Sequence, residues 1–292
     1  MKAIIKFSIL FCFLAAQLTI ISAQNKTQKL KVKKPKATVK EIDESLAKVY
    51  DSLYASKYEL SNKLYRMFEY DLLKSNQSEF FKIALIDSNV WTSPNEPMVI
   101  YYHRHPNYND YPVVGVSHEA AKLFCTWLTD KYNSSPKRKF KKVLFRLPTE
   151  SEWELAARGG RLNTVYPWGG PYLRNSKGRF LCNFQNIGDE NIIYDSLTNK
   201  FVVEFNNSPN KADTIISGTL LRTTVPVTSF YNNNIGLYNI AGNVAEMVNE
   251  KGISRGGGWR SPGGDVQNES RAFYSKPDND LGFRIFMVVI EE

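Results

Sequence analysis

A chain of 292 residues with 42% hydrophobic and 13% aromatic content can bury one large core, so the composition excludes a disordered chain and predicts one main domain with short extras. The formal charge of +9 looks suited to nucleic acid, yet nine of the 38 basic residues lie within the first 40 positions, leaving 29 against 29 acidic ones. The body is neutral and lacks the basic stretch with interleaved aromatics that a nucleic-acid role needs, so nucleic acid is not expected as a partner.

Residues 1–23, MKAIIKFSILFCFLAAQLTIISA, place Lys2 and Lys6 before an apolar run that ends on Ser22 and Ala23, the layout of a cleaved secretory signal. A retained signal anchor is the alternative, although a spanning helix wants about 20 apolar residues and this run is shorter. Cys12 follows Phe11 and would leave the run too short for a lipoprotein signal, so no lipid anchor is expected. The protein is expected to be exported, to the periplasm or the outer membrane. Residues 24–37 read as a lysine-rich flexible arm, either a solvated linker or a contact for anionic lipid or surface polysaccharide.

From Thr38, the spacing of Ile42, Leu46, Val49, Leu53 and Tyr54 predicts an amphipathic helix over residues 38–56, with Glu41, Asp43 and Glu44 in its first turn. Residues 57–292 form the main domain. Within it, YPVVGVSHEAAKLFCTWLTDKY predicts a short strand at Val113 to Val116 and a helix capped by Ser117, with Glu119 in its first turn. Another strand, VLFRL, runs into Pro148, and Thr149 with Glu152 forms the capping box of a second helix closed by Gly159 and Gly160. Short strands recur to the end, which predicts a loop-rich α+β domain with two main helices. Residues 188–222 are polar and asparagine-rich and read as a surface insertion. Beyond the signal only Cys125 and Cys182 remain, as one disulfide or two buried thiols. Cys125 shares a helical stripe with Ala121, Phe124 and Leu128, which suits core packing.

Three motifs carry a resemblance: FRLPTESEWELAARGG, then GLYNIAGNVAEMVNE with SRGGGW, and the terminal LGFRI. Together they resemble the formylglycine-generating-enzyme (sulfatase-modifying factor) family. Glu59, Ser61, Asn62, Tyr65 and Phe68 match the segment that leads into the family's first helix, while its usual opening hairpin is read as missing, the arm and helix standing in its place. The loops HRHPNYNDYPVVGVS and YPWGGPYLRNSKGRFLCNF are similar to a non-enzymatic branch, the gliding-motility lipoproteins K and J associated with type IX secretion. The resemblance implies a C-type-lectin-like fold and protein partners in the cell envelope.

Oxidase members of the family bind copper through two cysteines lying between the RGGSW and GFR motifs, and soft thiolates are what a cuprous ion needs. Between Trp259 and Gly282 this chain has no cysteine, so no catalytic residue is assigned and no copper is expected. The resemblance does imply a calcium site, with Asn239 giving a side-chain oxygen, Gly242 and Val244 backbone carbonyls, and Glu246 its carboxylate. A Gly-Asn turn whose Glu246 caps nearby amides is the alternative. His103 and His105 alternate along a possible strand and are a weak candidate metal pair, a surface segment before Pro106 explaining them equally well. RGGGW lacks the spacing of a phosphate cradle, and its glycines are expected to permit backbone crowding beside Trp259. The five tryptophans read as core or loop anchors, or as a sugar-binding platform if exposed.

Overall fold

The computed structural model describes residues 38–91, 96–187, 192–203 and 223–292; the expected signal and arm lie outside the described residues. A first sheet runs through the centre of the domain, in the order β1 (Leu46–Tyr50), β2 (Leu53–Ser56), β10 (Phe286–Glu291), β3 (Lys142–Arg146). All its pairs are antiparallel, and the last strand of the chain sits between strands from the N-terminal half. Side chains alternate across it. Val143, Phe145, Met287 and Val289 face α2 (Asn62–Lys74) and α5 (His118–Asn133), while Ala47, Leu53, Ala55 and Phe286 face Trp153 and Ala156 of α6 (Glu150–Arg158). Tyr65, Phe68, Phe124 and Phe283 meet between α2 and α5 with ring centroids 5.5 to 6.4 Å apart.

The helix expected over residues 38–56 is corrected. Thr38 and Glu41 form a capping box, but the helix, α1 (Val39–Glu44), stops there and the chain turns through Asp51 (φ 37) into the β1–β2 hairpin. The opening hairpin read as missing is therefore present. Leu53 and Ala55 pack on one face of the sheet and Tyr54 on the other, so pairing with β10 imposed a period of two where the spacing also allowed 3.6. Val113 to Val116 is corrected as well: the segment is buried but joins no ladder, since Gly115 takes φ +73 and Val113 N–H donates to the Leu60 carbonyl. Among the described residues α5 runs for 16, α2 for 13 and α6 for nine.

Both expected caps hold: Ser117 accepts from Ala120 N–H, and Thr149 and Glu152 bond reciprocally, with Gly159 closing α6 at φ 57. Between these elements lie α3 (Ser78–Ala84) and α4 (Glu96–Tyr101), which pack beside α2 and the Trp91 cluster. Part of the 188–222 segment is described, as a hairpin of β4 (Ile192–Asp195) and β5 (Lys200–Val203) with Tyr194, Leu197 and Phe201 exposed. The second main sheet has the order β8 (Arg271–Phe273), β7 (Ile253–Arg255), β6 (Ala245–Met247), β9 (Leu281–Phe283). Only β6 and β9 are parallel in it. Cys125 and Cys182 are two free, buried thiols in separate clusters. Among the described residues no helix is long and apolar enough to cross a membrane.

Candidate functional site

The turn GLYNIAGNVAE winds through left-handed backbone at Asn239 (φ 48), Gly242 (φ 77) and Asn243 (φ 65), conformations that glycine and asparagine tolerate best. At Gly242 nothing larger fits, because a Cβ would lie 2.3 Å from the Asn183 carbonyl oxygen, to which Asn243 N–H donates at 2.7 Å. This turn delivers Glu246 on β6 into the interior. Its Oε1 accepts from Arg284 Nη2 at 2.7 Å and Nε at 3.0 Å, and its Oε2 accepts from Trp153 Nε1 at 2.7 Å. Arg284, between β9 and β10, is fully buried and gives its other donors to the carbonyls of Ser56 at 2.8 Å and Tyr238 at 2.7 Å. One guanidinium thus joins the end of β2, the Asn239 turn and β6, with its charge paired and its donors used.

A second carboxylate, Glu59, lies beside this pair and is also buried. Asn239 Nδ2 donates to its Oε2 at 3.1 Å, Asn243 Nδ2 at 2.8 Å, and Val244 N–H to its Oε1 at 3.3 Å. Burial and the neighbouring Glu246 charge push the Glu59 carboxyl up to about 8, against the opposing pull of Arg284 and the two amides. In the sequence Glu59 stands only as part of the segment that leads into the first helix of the domain. Its signal was an acid between Tyr58 and Leu60 just before an N-cap serine, and its partner Asn239 lies 180 positions away.

The four residues expected to hold calcium are brought together on this turn, and of the groups expected to hold the ion the Glu246 carboxylate already has partners in the fold. Asn239 directs its amide N–H to Glu59, and Glu246 is neutralised by Arg284 and bonded by Trp153. A calcium ion drawing on Glu246 would have to displace a guanidinium held by three acceptors. In this arrangement the Glu246 carboxylate is already paired with Arg284, and no function is routed through a calcium ion. His103 and His105 do not form a metal pair either. His103 is buried, its Nδ1 3.1 Å from Asn62 Oδ1 and its Nε2 2.8 Å from Glu69 Oε2, whereas His105 is exposed and accepts from Asn107 N–H. Among the described residues, no group of three or more His, Cys, Asp and Glu side chains could hold a metal ion.

The glycines of RGGGW do permit crowding, but beside Trp153: a Cβ at Gly256 would sit 2.9 Å from its ring and 2.9 Å from the Ile240 carbonyl. Trp91 and Trp153 are core residues. Next to these glycines, the RGGGW and LGFRI segments wall a cleft of about 400 Å³ lined by Ser254, Arg260, Ser261, Asp265, Lys276 and Asp280 among others. Arg260 is clamped between Asp278 and Asp280, 2.7 and 2.8 Å away, and these bonds hold its pKa above the ordinary value. The cleft contains no cysteine. Burial pushes the Cys125 thiol up to about 12 and raises that of Cys182 as well, so neither is a thiolate at neutral pH.

Residues 36–288, which include the Asn239 turn, the cleft and the Arg284 pair, match the family described as sulfatase-modifying factor enzyme 1-like domain. The chain belongs to this family. Its loop-rich α+β domain is the C-type-lectin-like fold of the sulfatase-modifying factors. The formylglycine-generating enzyme of Mus musculus is 31% identical over 160 residues, which cover 55% of this chain and 32% of that protein. The inactive C-alpha-formylglycine-generating enzyme 2 of Bos taurus is 29% identical over 191 residues, covering 60% of this chain and 50% of that one. The chain therefore spans between a third and a half of these curated relatives, and the family contains active and inactive members. Among solved structures, CarF aligns with a TM-score of 0.47 and 18% identity over 81% of this chain and 86% of that one.

Proposed function

We propose that this sulfatase-modifying factor is an exported, catalytically inactive protein that acts as a structural or binding component of the bacterial cell envelope, in gliding motility or type IX secretion. The observation that carries the reading is the cleft beside RGGGW and LGFRI. Where oxidase members are expected to carry their cysteine pair, its walls offer serines, aspartates and basic side chains. Such groups hydrogen-bond and pair charges but do not hold a cuprous ion. The signal-like first 23 residues and the loops similar to gliding lipoproteins K and J support the cellular setting. We also propose that Arg284 supplies the counter-charge that calcium would give Glu246.

The test is affinity isolation of the tagged protein from cross-linked envelopes, with the companions identified by mass spectrometry. Recovery with gliding or secretion components is expected, and recovery with soluble proteins alone would sink the envelope role. In parallel, the purified protein is expected not to oxidise a cysteine-containing sulfatase-type peptide, with or without copper. Turnover would overthrow the inactive reading.

A further inference from the structure

One stripe of α2 grips the chain where it leaves α4. Asn62, Arg66 and Glu69 lie along one face of that helix, and each bonds to Tyr102 or His103. Asn62 Nδ2 donates to the Tyr102 carbonyl at 3.1 Å and to the Tyr108 carbonyl at 3.1 Å. Arg66 donates to the His103 carbonyl and to Asn109 Oδ1. The His103 ring is buried between the other two, its Nδ1 3.1 Å from Asn62 Oδ1 and its Nε2 2.8 Å from Glu69 Oε2.

These contacts fix where the protons sit. Because Asn62 spends its amide N–H groups on two carbonyls, its Oδ1 faces the ring as an acceptor, and Nδ1 must donate to it. An ionised Glu69 is also an acceptor, so a contact of 2.8 Å requires a second proton, on Nε2. The ring that satisfies both neighbours is the imidazolium. The other ionisable groups around it are Tyr65 and Arg66 of α2, with Tyr70 and Arg104 on the wall of an adjoining cavity of about 500 Å³. Glu69 favours the added charge, and Arg66 and Arg104 oppose it. Phe81, Leu85, Val99 and Ile100 make much of the rest of that wall apolar.

We propose that Asn62, His103 and Glu69 form a proton-dependent latch that pins residues 102–105, and with them the α4 wall of this cavity, to α2, and that loss of the Nε2 proton releases it. Without that proton, two lone pairs face each other in a buried site and the bond to Glu69 is lost. The donor sets the sign. The latch is closed while the ring holds both protons and opens as pH rises through the ring's own titration. The device stands apart from the envelope role and from the cleft beside RGGGW, with which the cavity shares no lining residue.

Nitrogen-15 NMR of the ring and residue-resolved amide exchange, both followed on the purified full chain from about pH 5 to 9, test it. At the acid end both ring nitrogens are expected to give imidazolium signals, and the proton lost on titration is expected to leave from Nε2. The amides of Tyr102, Arg104 and His105 donate to the Met98 and Tyr101 carbonyls. They are expected to lose at least about tenfold in protection over the same interval, after correction for intrinsic exchange. Ala121, whose N–H donates to the Ser117 carbonyl in α5, is the control and is expected to hold steady. Glu69→Gln supplies an amide that accepts from a protonated Nε2 or donates to a bare one, so it is expected to flatten the step. A ring with one protonated nitrogen throughout would place the shared proton on Glu69 and overturn the proposal. So would loss of the Nε2 proton with no change at residues 102–105, or a step of full size in Glu69→Gln. Glu59 stands at about 8, so a loss of protection shared equally by Ala121 would assign the effect to Glu59 and also count against the latch.

Discussion

Arg284 carries the largest single consequence at the residue scale. Among the described residues it is the one cation paired with the buried Glu246 carboxylate, and it also bonds two carbonyls from separate segments. Arg284→Met leaves that carboxylate buried and unpaired, with an expected loss of about 3–5 kcal/mol in urea unfolding. Arg284→Met combined with Glu246→Leu is expected to recover part of it, and a single-variant loss below about 1 kcal/mol would show that the pair is not the keystone described here. Glu59 adds a pH dependence of definite sign. Its carboxyl stands at about 8 in the fold against an ordinary 4.5, so within that window the folded state keeps a proton that the unfolded chain has released. Stability attributable to Glu59 is therefore full below the lower value and falls as pH rises toward the higher one. Melting temperatures taken between pH 5 and 8 are expected to decline in the wild-type chain and to flatten in Glu59→Gln. A wild-type profile that rises through this range would mean that Glu59 is ionised throughout.

Glycine positions give a sharp contrast at the scale of elements. Gly242 needs both its positive φ of +77 and the absence of a Cβ, whereas Gly264 has open space around it. Gly242→Ala is expected to cost about 2 kcal/mol or more and Gly264→Ala less than about 0.5 kcal/mol, read from denaturant midpoints at constant m. Equal effects would mean that the turn relaxes without strain. The elements differ in how far the sequence revealed them. The caps of α5 and α6 were legible because Ser117 with Ala120, and Thr149 with Glu152, close hydrogen bonds within four residues. The β1–β2 hairpin was not, since Leu46, Val49 and Leu53 satisfy a helical stripe, and the strand that makes them a sheet edge arrives only at residues 286–288. Val113 to Val116 was apolar enough for a strand, but its partners are loop groups of Leu60 and Asp278 rather than a neighbouring ladder.

The calcium question belongs to the whole molecule, because Arg284, Trp153 and Glu59 reach the Asn239 turn from three other parts of the chain. Calcium titrated into chelator-treated protein is expected to give no binding heat and no rise in melting temperature, whereas a saturable rise abolished by Glu246→Ala would show that the guanidinium yields to the ion. The absent cysteine pair, the capped helices and the family motifs are properties of sequence alone, since each depends on residue identity or on spacing of a few positions. So does the neutrality of the body once the first 40 residues are set apart. The commitment of Glu246 to Arg284, the burial of Glu59 and the free state of both thiols were decided by tertiary structure. Each depends on which distant groups share one small, dry volume. Whether a carboxylate there meets a cation, an amide or water follows from packing that no local pattern encodes.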